Sequence, residues 1–327
     1  MRLAARAELP AGVWDAFLDQ QPGAWFWHRT AWLDYQQAYR PKARDCSVGI
    51  LDELDTLVGV LPLFVEDGVV RLDGDPSPLW RDRDAANALA LPVVQHLVSC
   101  GVRRWISADR PTLRRYDDLV DDFSTVRHRP TRVVDVTQPS CALWSQIRRS
   151  YHALIHRAER AYQIEIGSTR RLLDSYELVH RRSWYPQARP QATYDIQRQI
   201  AVDGHGVVAV AFDRETGEAI SAAYVIHEGT WAYYASGPTL RQNVQHALQW
   251  TILQALKNYG VTHYELGFLP EAPTAKDHGI QIFKTGFGGT DWMQEIHDVE
   301  LSALQTGRNR SINREEQGDV REKSATG

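Results

Sequence analysis

The 327-residue chain is 43% hydrophobic and 24% charged, the profile of a globular protein long enough for one large or two ordinary domains. A formal net charge of -4 excludes the strong positive field that non-specific coating of nucleic acid needs, so no DNA partner is expected. No apolar run approaches the roughly 20 residues that cross a bilayer, and the first residues lack the apolar core of a secretory signal, which together predict a cytoplasmic protein without a transmembrane segment.

In chain order, residues 13 to 39 read as helical, with Trp14, Phe17 and Leu18 on one face and Trp32, Tyr35 and Gln36 on a later one. The segments DCSVGILDE, TLVGVLPLFVED and GVVRLDG are short, rich in Val, Leu and Ile, and separated by turn residues, which predicts an antiparallel meander. A helix over 85–99, the strand VRRWISA, a short helix over 111–119 and a strand at 123–127 complete a first domain, 1–130. The second, 131–305, starts with the strand TRVVDV, after which Ser140 is read as the cap of one long helix through LWSQIRRSYHALIHRAERAY. Helices over 172–184 and 195–202 flank the proline-broken stretch YPQARPQAT. Three antiparallel strands follow, GVVAVAFDR, AISAAYVIHE and TWAYYASG. A helix over 244–259, the strand THYELGF, a short helix near 281–285 and the strand DWMQEIHDVEL close the order, and the polar tail 306–327 is read as disordered. The first half repeats a shortened form of the second, so the fold class is α+β, two tandem domains each with a mixed, mostly antiparallel sheet flanked by helices.

Cys46, Cys100 and Cys141 are odd in number and form no CxxC pair, which predicts reduced structural thiols. His152 and His156 have i, i+4 spacing, but no third ligand is marked, so no metal site is expected. Near the end, GIQIFKTGFGG carries one of only five lysines in the chain, between Phe283 and a glycine-rich close. Gly286, Gly288 and Gly289 are assigned a structural role in a tight turn.

The element order is similar to the GNAT acyltransferase fold. With the tandem arrangement and the stretches WHRTAWLDYQQAY, GVLPLF, VVDVTQPSCALWSQIRRSYHALIHRAER, YYASG and above all GIQIFKTGFGG, the chain resembles the Fem family of aminoacyl-tRNA-dependent transferases. The resemblance implies an enzyme that moves an amino acid from the ester of a charged tRNA to an amine of a small molecule, peptide or peptidoglycan precursor. Aminoacyl-tRNA is then a co-substrate and no cofactor is implied. It also places Phe283 and Lys284 at the functional position, Lys284 as a positive charge for an oxyanion or a phosphate and Phe283 as a stacking wall. Large members of the family carry a helical-hairpin insertion for tRNA contact; this chain does not.

Other candidates come from the residues themselves. Tyr233 and Tyr234 point to opposite faces of one strand, so only one can face the core and the other could donate a hydrogen bond to an acceptor substrate. Arg181, Arg182 and Arg189 flank Trp184 and Tyr185, a mixture that suits phosphates and unstacked bases. Arg148, Arg149, Arg157 and Arg160 recur along the long helix, where a solvated face is the commoner reading. The alternative is an acyl-CoA-dependent N-acyltransferase. Its pyrophosphate loop needs bare backbone after the meander, and Gln245 stands where the first glycine belongs.

Overall fold

The computed structural model describes residues 1–70, 77–81, 92–109, 125–183, 188–270 and 274–301. These form two compact units, one of Met1–Thr30, Arg40–His128 and the residues from Glu295 on, the other of Ala31–Tyr39 and Arg129–Gln294. The class is α+β, with largely antiparallel sheets and flanking helices. The chain does not divide linearly at residue 130. Thr125–Asp135 is one unbroken strand, the helix Thr30–Tyr39 joins the second unit after its first residue, and the last strand, Thr290–Glu300, ends in the first. Pairing is the reason for the last exchange: Glu295–Glu300 lies antiparallel to Arg104–Asp109, which buries Val299 and Leu301 with Val58, Trp80 and Trp105. The expected elements at 111–119 and 123–124, the tail, Trp184 and Tyr185 lie outside the described residues.

The first unit holds an antiparallel sheet in the order Arg2–Ala5, Val48–Leu51, Leu57–Leu61, Leu79–Trp80. Its strands are short and, apart from the edge strand Arg2–Ala5, wholly buried. Cys46 and Cys100, distant in sequence, meet here. Burial, and then the hydrogen bond with Cys100, push the Cys46 thiol up to about 12, so at neutral pH it is an unreactive thiol.

In the second unit the expected meander is present as Gly206–Asp213, Ala219–Glu228 and Trp231–Ser236. An unforeseen strand, Tyr162–Gly167, pairs with its outer side. Beyond the meander, His263–Phe268 runs parallel to Trp231–Ser236 and antiparallel to the long strand Thr125–Asp135. A parallel pair needs a crossover, and the helix Val244–Ala255 supplies it. One sheet face packs Val207, Ala209, Val225 and Tyr264 against Leu248 and Ile252 of that helix and Ile155. The other face is covered by the helices Arg170–Ser183 and Gln191–Val202. With helices on both faces, the meander strands read as nearly continuous apolar runs rather than alternating ones.

The single long helix from Ser140 is in fact two, Ser140–Gln146 and Arg149–Ala161, and Pro139, not Ser140, occupies the cap position. Ile147 is extended. The break frees the Arg148 N–H, which donates to the Gly286 carbonyl at 2.8 Å. A contact with the far end of the sequence therefore interrupts a locally favourable helix.

Candidate active site in the second unit

The parallel strands part where the site lies. Ladder partners are Trp231 with His263, Ala232 with Tyr264 and Tyr233 with Glu265, yet the strands continue to Ser236 and Phe268. Past Glu265 the second strand bulges, and Gly267 takes a left-handed φ of +86°, which a side chain would resist. A gap at the carboxyl ends of parallel strands is where such sheets hold ligands.

The motif helix, Ala275–Thr285, brings Lys284 to this gap. Thr274 caps it by accepting from the Asp277 N–H at 3.3 Å, and Asp277 reciprocates by accepting from the Thr274 N–H at 3.1 Å, a capping box. Neighbouring positions on a helix diverge by about 100°, so Phe283 and Lys284 serve different surroundings. Lys284 Nζ donates to the Phe268 carbonyl at 2.8 Å. The point where a β-carbon on Gly267 would sit is 3.1 Å from Lys284 Nζ and 3.4 Å from the Tyr233 hydroxyl, so the lysine, the tyrosine and the glycine share one small space. Burial pulls the Lys284 ammonium down to about 8; Glu265 opposes this and Arg129 adds to it. Glu265 is buried and accepts from Thr131 Oγ1 at 2.7 Å, while the Arg129 guanidinium lies 3.7 Å over the Phe268 ring. Lys284 is neither a solvated surface lysine nor a permanent charge.

Phe283 turns the other way. Its ring meets His246 at 5.3 Å and Phe287 at 5.1 Å, edge to face, and Tyr151 closes the group 4.3 Å from His246. Burial holds the His246 imidazole below its usual range. Phe283, half-buried, thus packs against the core. The glycines behave as assigned, for two reasons. Gly288 and Gly289 have φ of +80° and +77°, and a β-carbon on Gly289 would come within 2.2 Å of the Val133 carbonyl; Gly286 is ordinary in φ, but a β-carbon there would strike the Tyr151 ring at 2.2 Å.

Tyr233 and Tyr234 divide as alternation requires. Tyr234 enters the core and donates to Gln245 Oε1 at 3.2 Å, and burial raises its hydroxyl above the usual range. Gln245 is also turned inward, its Nε2 donating to Ala222 O at 2.7 Å, Ser221 Oγ at 3.0 Å and Pro238 O at 3.1 Å. The expected obstruction of a pyrophosphate loop is therefore not there, because the side chain leaves the loop free. His152 and His156 lie against the Trp144 ring, at 4.1 and 5.2 Å, rather than converging on a common point.

Of the arginine candidates, Arg181 is tied into the helix pair. Its Nε donates to Glu177 at 2.7 Å and its guanidinium covers Tyr194 at 4.5 Å. Arg182 is exposed. Arg189 is the unusual one. Its guanidinium lies 6.0 Å from the Tyr35 ring and 5.7 Å from Tyr39, Nη1 donates to the Tyr176 hydroxyl at 3.5 Å, and no carboxylate reaches it among the described residues. Nearby His180, bonded to the Tyr194 hydroxyl at 2.9 Å, is pulled down to about 4 by burial, then by Arg189 and Arg181. Arg189 is half-buried, and a cation withdrawn from water is normally paired. Tyr224, which meets Tyr176 at 5.4 Å, stands two residues before Ile226, the ladder partner of Tyr233, so the arginine box and the Lys284 gap open on one sheet face. Sequence reading placed Arg189 among phosphate candidates but not Tyr35 and Tyr39, whose i, i+4 spacing was the available signal.

No family model matches the sequence, and no curated protein matches it. Solved structures do resemble it. FemX superposes with a TM-score of 0.65 at 13% identity, over 94% of this chain and 99% of that one. L-PGS from Bacillus licheniformis gives 0.58 at 14%, over 91% and 96%. The C-terminal domain of a protein described as a lysylphosphatidylglycerol synthetase, from Agrobacterium fabrum, gives 0.54 at 13%, over 89% and 92%. The chain shares the fold of FemX and of these two further structures.

Proposed function

We propose that this protein is an aminoacyltransferase that takes an amino acid from the ester of a charged tRNA and forms an amide with an acceptor amine. One observation carries the reading: a desolvated Lys284 ammonium, beside the Tyr233 hydroxyl, at the parting of the parallel strands. The amine attacks the ester carbonyl, a tetrahedral oxyanion forms, and the ribose oxygen leaves with the proton the amine gives up. No outside energy source is needed, so positioning and charge stabilisation are what the protein contributes. Lysine has three N–H donors; one is held by Phe268, which fixes the ammonium while the others face the oxyanion. Tyr233 adds a neutral donor. Arg189 in its tyrosine box holds a carboxylate or phosphate of the acceptor. The structural resemblance to FemX supports the reading through the fold, and it supports transfer chemistry more than any particular acceptor.

The test is incubation with labelled aminoacyl-tRNAs and candidate amines. Transfer that RNase abolishes is expected; turnover with acyl-CoA but not with charged tRNA would sink the proposal. The acyl-CoA reading keeps one observation in its favour. Because Gln245 turns inward, the amino end of the helix Val244–Ala255 is open, beside a cavity of about 160 Å³ lined by Arg157, Gln242 and Asn243.

A further inference from the structure

Arg148, Arg149, Arg157 and Arg160, on or beside the helix Arg149–Ala161, are all exposed. None reaches a carboxylate among the described residues, and Glu159, the acidic residue in their midst, pairs with His156 at 3.1 Å. Four of the five arginines on the helices Arg170–Ser183 and Gln191–Val202 behave otherwise: Arg170, Arg171, Arg181 and Arg198 each meet an Asp or Glu, and exposed Arg182 is the exception. The helix dipole does not account for the unpaired set. It favours Arg157 and Arg160 near the C-terminus but disfavours Arg148 and Arg149 at the N-terminus. At about 100° and 1.5 Å per residue, Arg149 and Arg160 lie within about 20° of one line and about 17 Å apart, with Arg157 on the same side.

The track has defined ends. Arg148 is held at the motif, its N–H on the Gly286 carbonyl two residues after Lys284. Arg157, at the other end, lines the cavity beside Gln242, Asn243 and Val244. Large apolar side chains of this helix, Tyr151 and Ile155, face the core, and no exposed large hydrophobic residue lies between 148 and 161. A helix lying on a lipid surface needs such residues outward. What remains is a run of planar guanidinium forks, suited to successive phosphates.

We infer that this helix face is the docking track for the phosphodiester backbone of the RNA that carries the donor, and that it leads the aminoacylated 3′ end to Lys284. The inference rests on the aminoacyl-tRNA reading above. It replaces the missing helical hairpin with a surface made from the domain's own helix.

The test uses the full chain and the triple variant Arg149→Ala, Arg157→Ala, Arg160→Ala, whose positions are exposed. Affinity for uncharged tRNA is measured by fluorescence anisotropy across a salt series, and transfer kinetics with intact charged tRNA and with an aminoacylated 3′ dinucleotide. The variant should bind tRNA at least about tenfold more weakly at moderate salt, with a log–log salt slope shallower by about 2 to 3. Its KM for charged tRNA should rise to match, while transfer from the dinucleotide stays at the wild-type rate. An unchanged slope and KM, with transfer intact in both proteins, overturns the track but leaves the aminoacyl-tRNA reading standing. Wild-type turnover with acetyl-CoA and with neither RNA donor overturns both. Loss of binding to phosphatidylglycerol vesicles with unchanged tRNA affinity assigns the face to lipid and also overturns the track.

Discussion

Two sets of arginines occupy helices of the second unit and use their charge in opposite ways. On Arg170–Ser183 and Gln191–Val202, Glu177 accepts from Arg181 at 2.7 Å and pairs with Arg198, which also reaches Asp195 at 2.9 Å. That charge is consumed inside the protein and fastens one helix to the next. Along Arg149–Ala161 the exposed arginines reach no carboxylate among the described residues. The contrast separates arginines engaged by carboxylates from arginines that are not, and half-buried Arg189, beside Tyr35 and Tyr39 and with no carboxylate in reach among the described residues, belongs to the second kind.

The largest expected effect lies at Lys284. Lys284→Met should lower kcat about 100- to 1000-fold, the scale for losing an oxyanion partner, with the circular dichroism spectrum unchanged. A loss under about threefold would remove the lysine from the chemistry. Because the ammonium titrates at about 8 and acts while protonated, the rate should fall as pH rises through 8. Lys284→Arg, whose charge persists, should move that alkaline limb upward; an unmoved limb assigns it to another group.

Smaller effects probe the paired set. Glu177→Gln removes the charge and one of the two acceptor oxygens that Arg181 and Arg198 use, and should cost about 1 to 3 kcal/mol in urea unfolding. His180 tests the same packing by pH. Its folded value of about 4 lies below the ordinary 6.5, so between those values the unfolded chain binds the extra proton, and stability should decline as pH falls from 6.5 toward 4. In His180→Phe that acid slope should be shallower. The smallest effect belongs to the unpaired set: the triple alanine variant at Arg149, Arg157 and Arg160 should shift unfolding by less than about 0.5 kcal/mol. A loss as large as that of Glu177→Gln would mean that these arginines have internal work after all.

Much of this was legible in the sequence, and the exceptions share a cause. The meander could be read because its Val- and Ala-rich runs are bounded by turns, and Lys284 stood out because lysine is scarce. Whatever depends on a distant partner could not be read. Helical periodicity runs on through Ile147 and Arg148, but the Gly286 carbonyl breaks it. Gln245 looks like an obstruction in a loop until Ser221 and Ala222 are known to draw its amide inward. The side to which the helix turns the Phe283 ring, toward His246 and Phe287, is likewise set by the fold.

The interleaved path of the chain has a consequence for synthesis. The helix Thr30–Tyr39 carries Trp32, Leu33, Tyr35 and Gln36, all buried in the finished protein, and all but its first residue belong with residues 129–294. At about 5 to 20 residues per second, the ribosome takes on the order of ten seconds or more to deliver that remainder. Through that interval a newly made aromatic helix waits without its partners, within reach of a chaperone. A nascent chain halted before Arg189 presents Tyr35 and Tyr39 with no guanidinium beside them, so the tyrosine box is completed late, by residues translated long after its first wall.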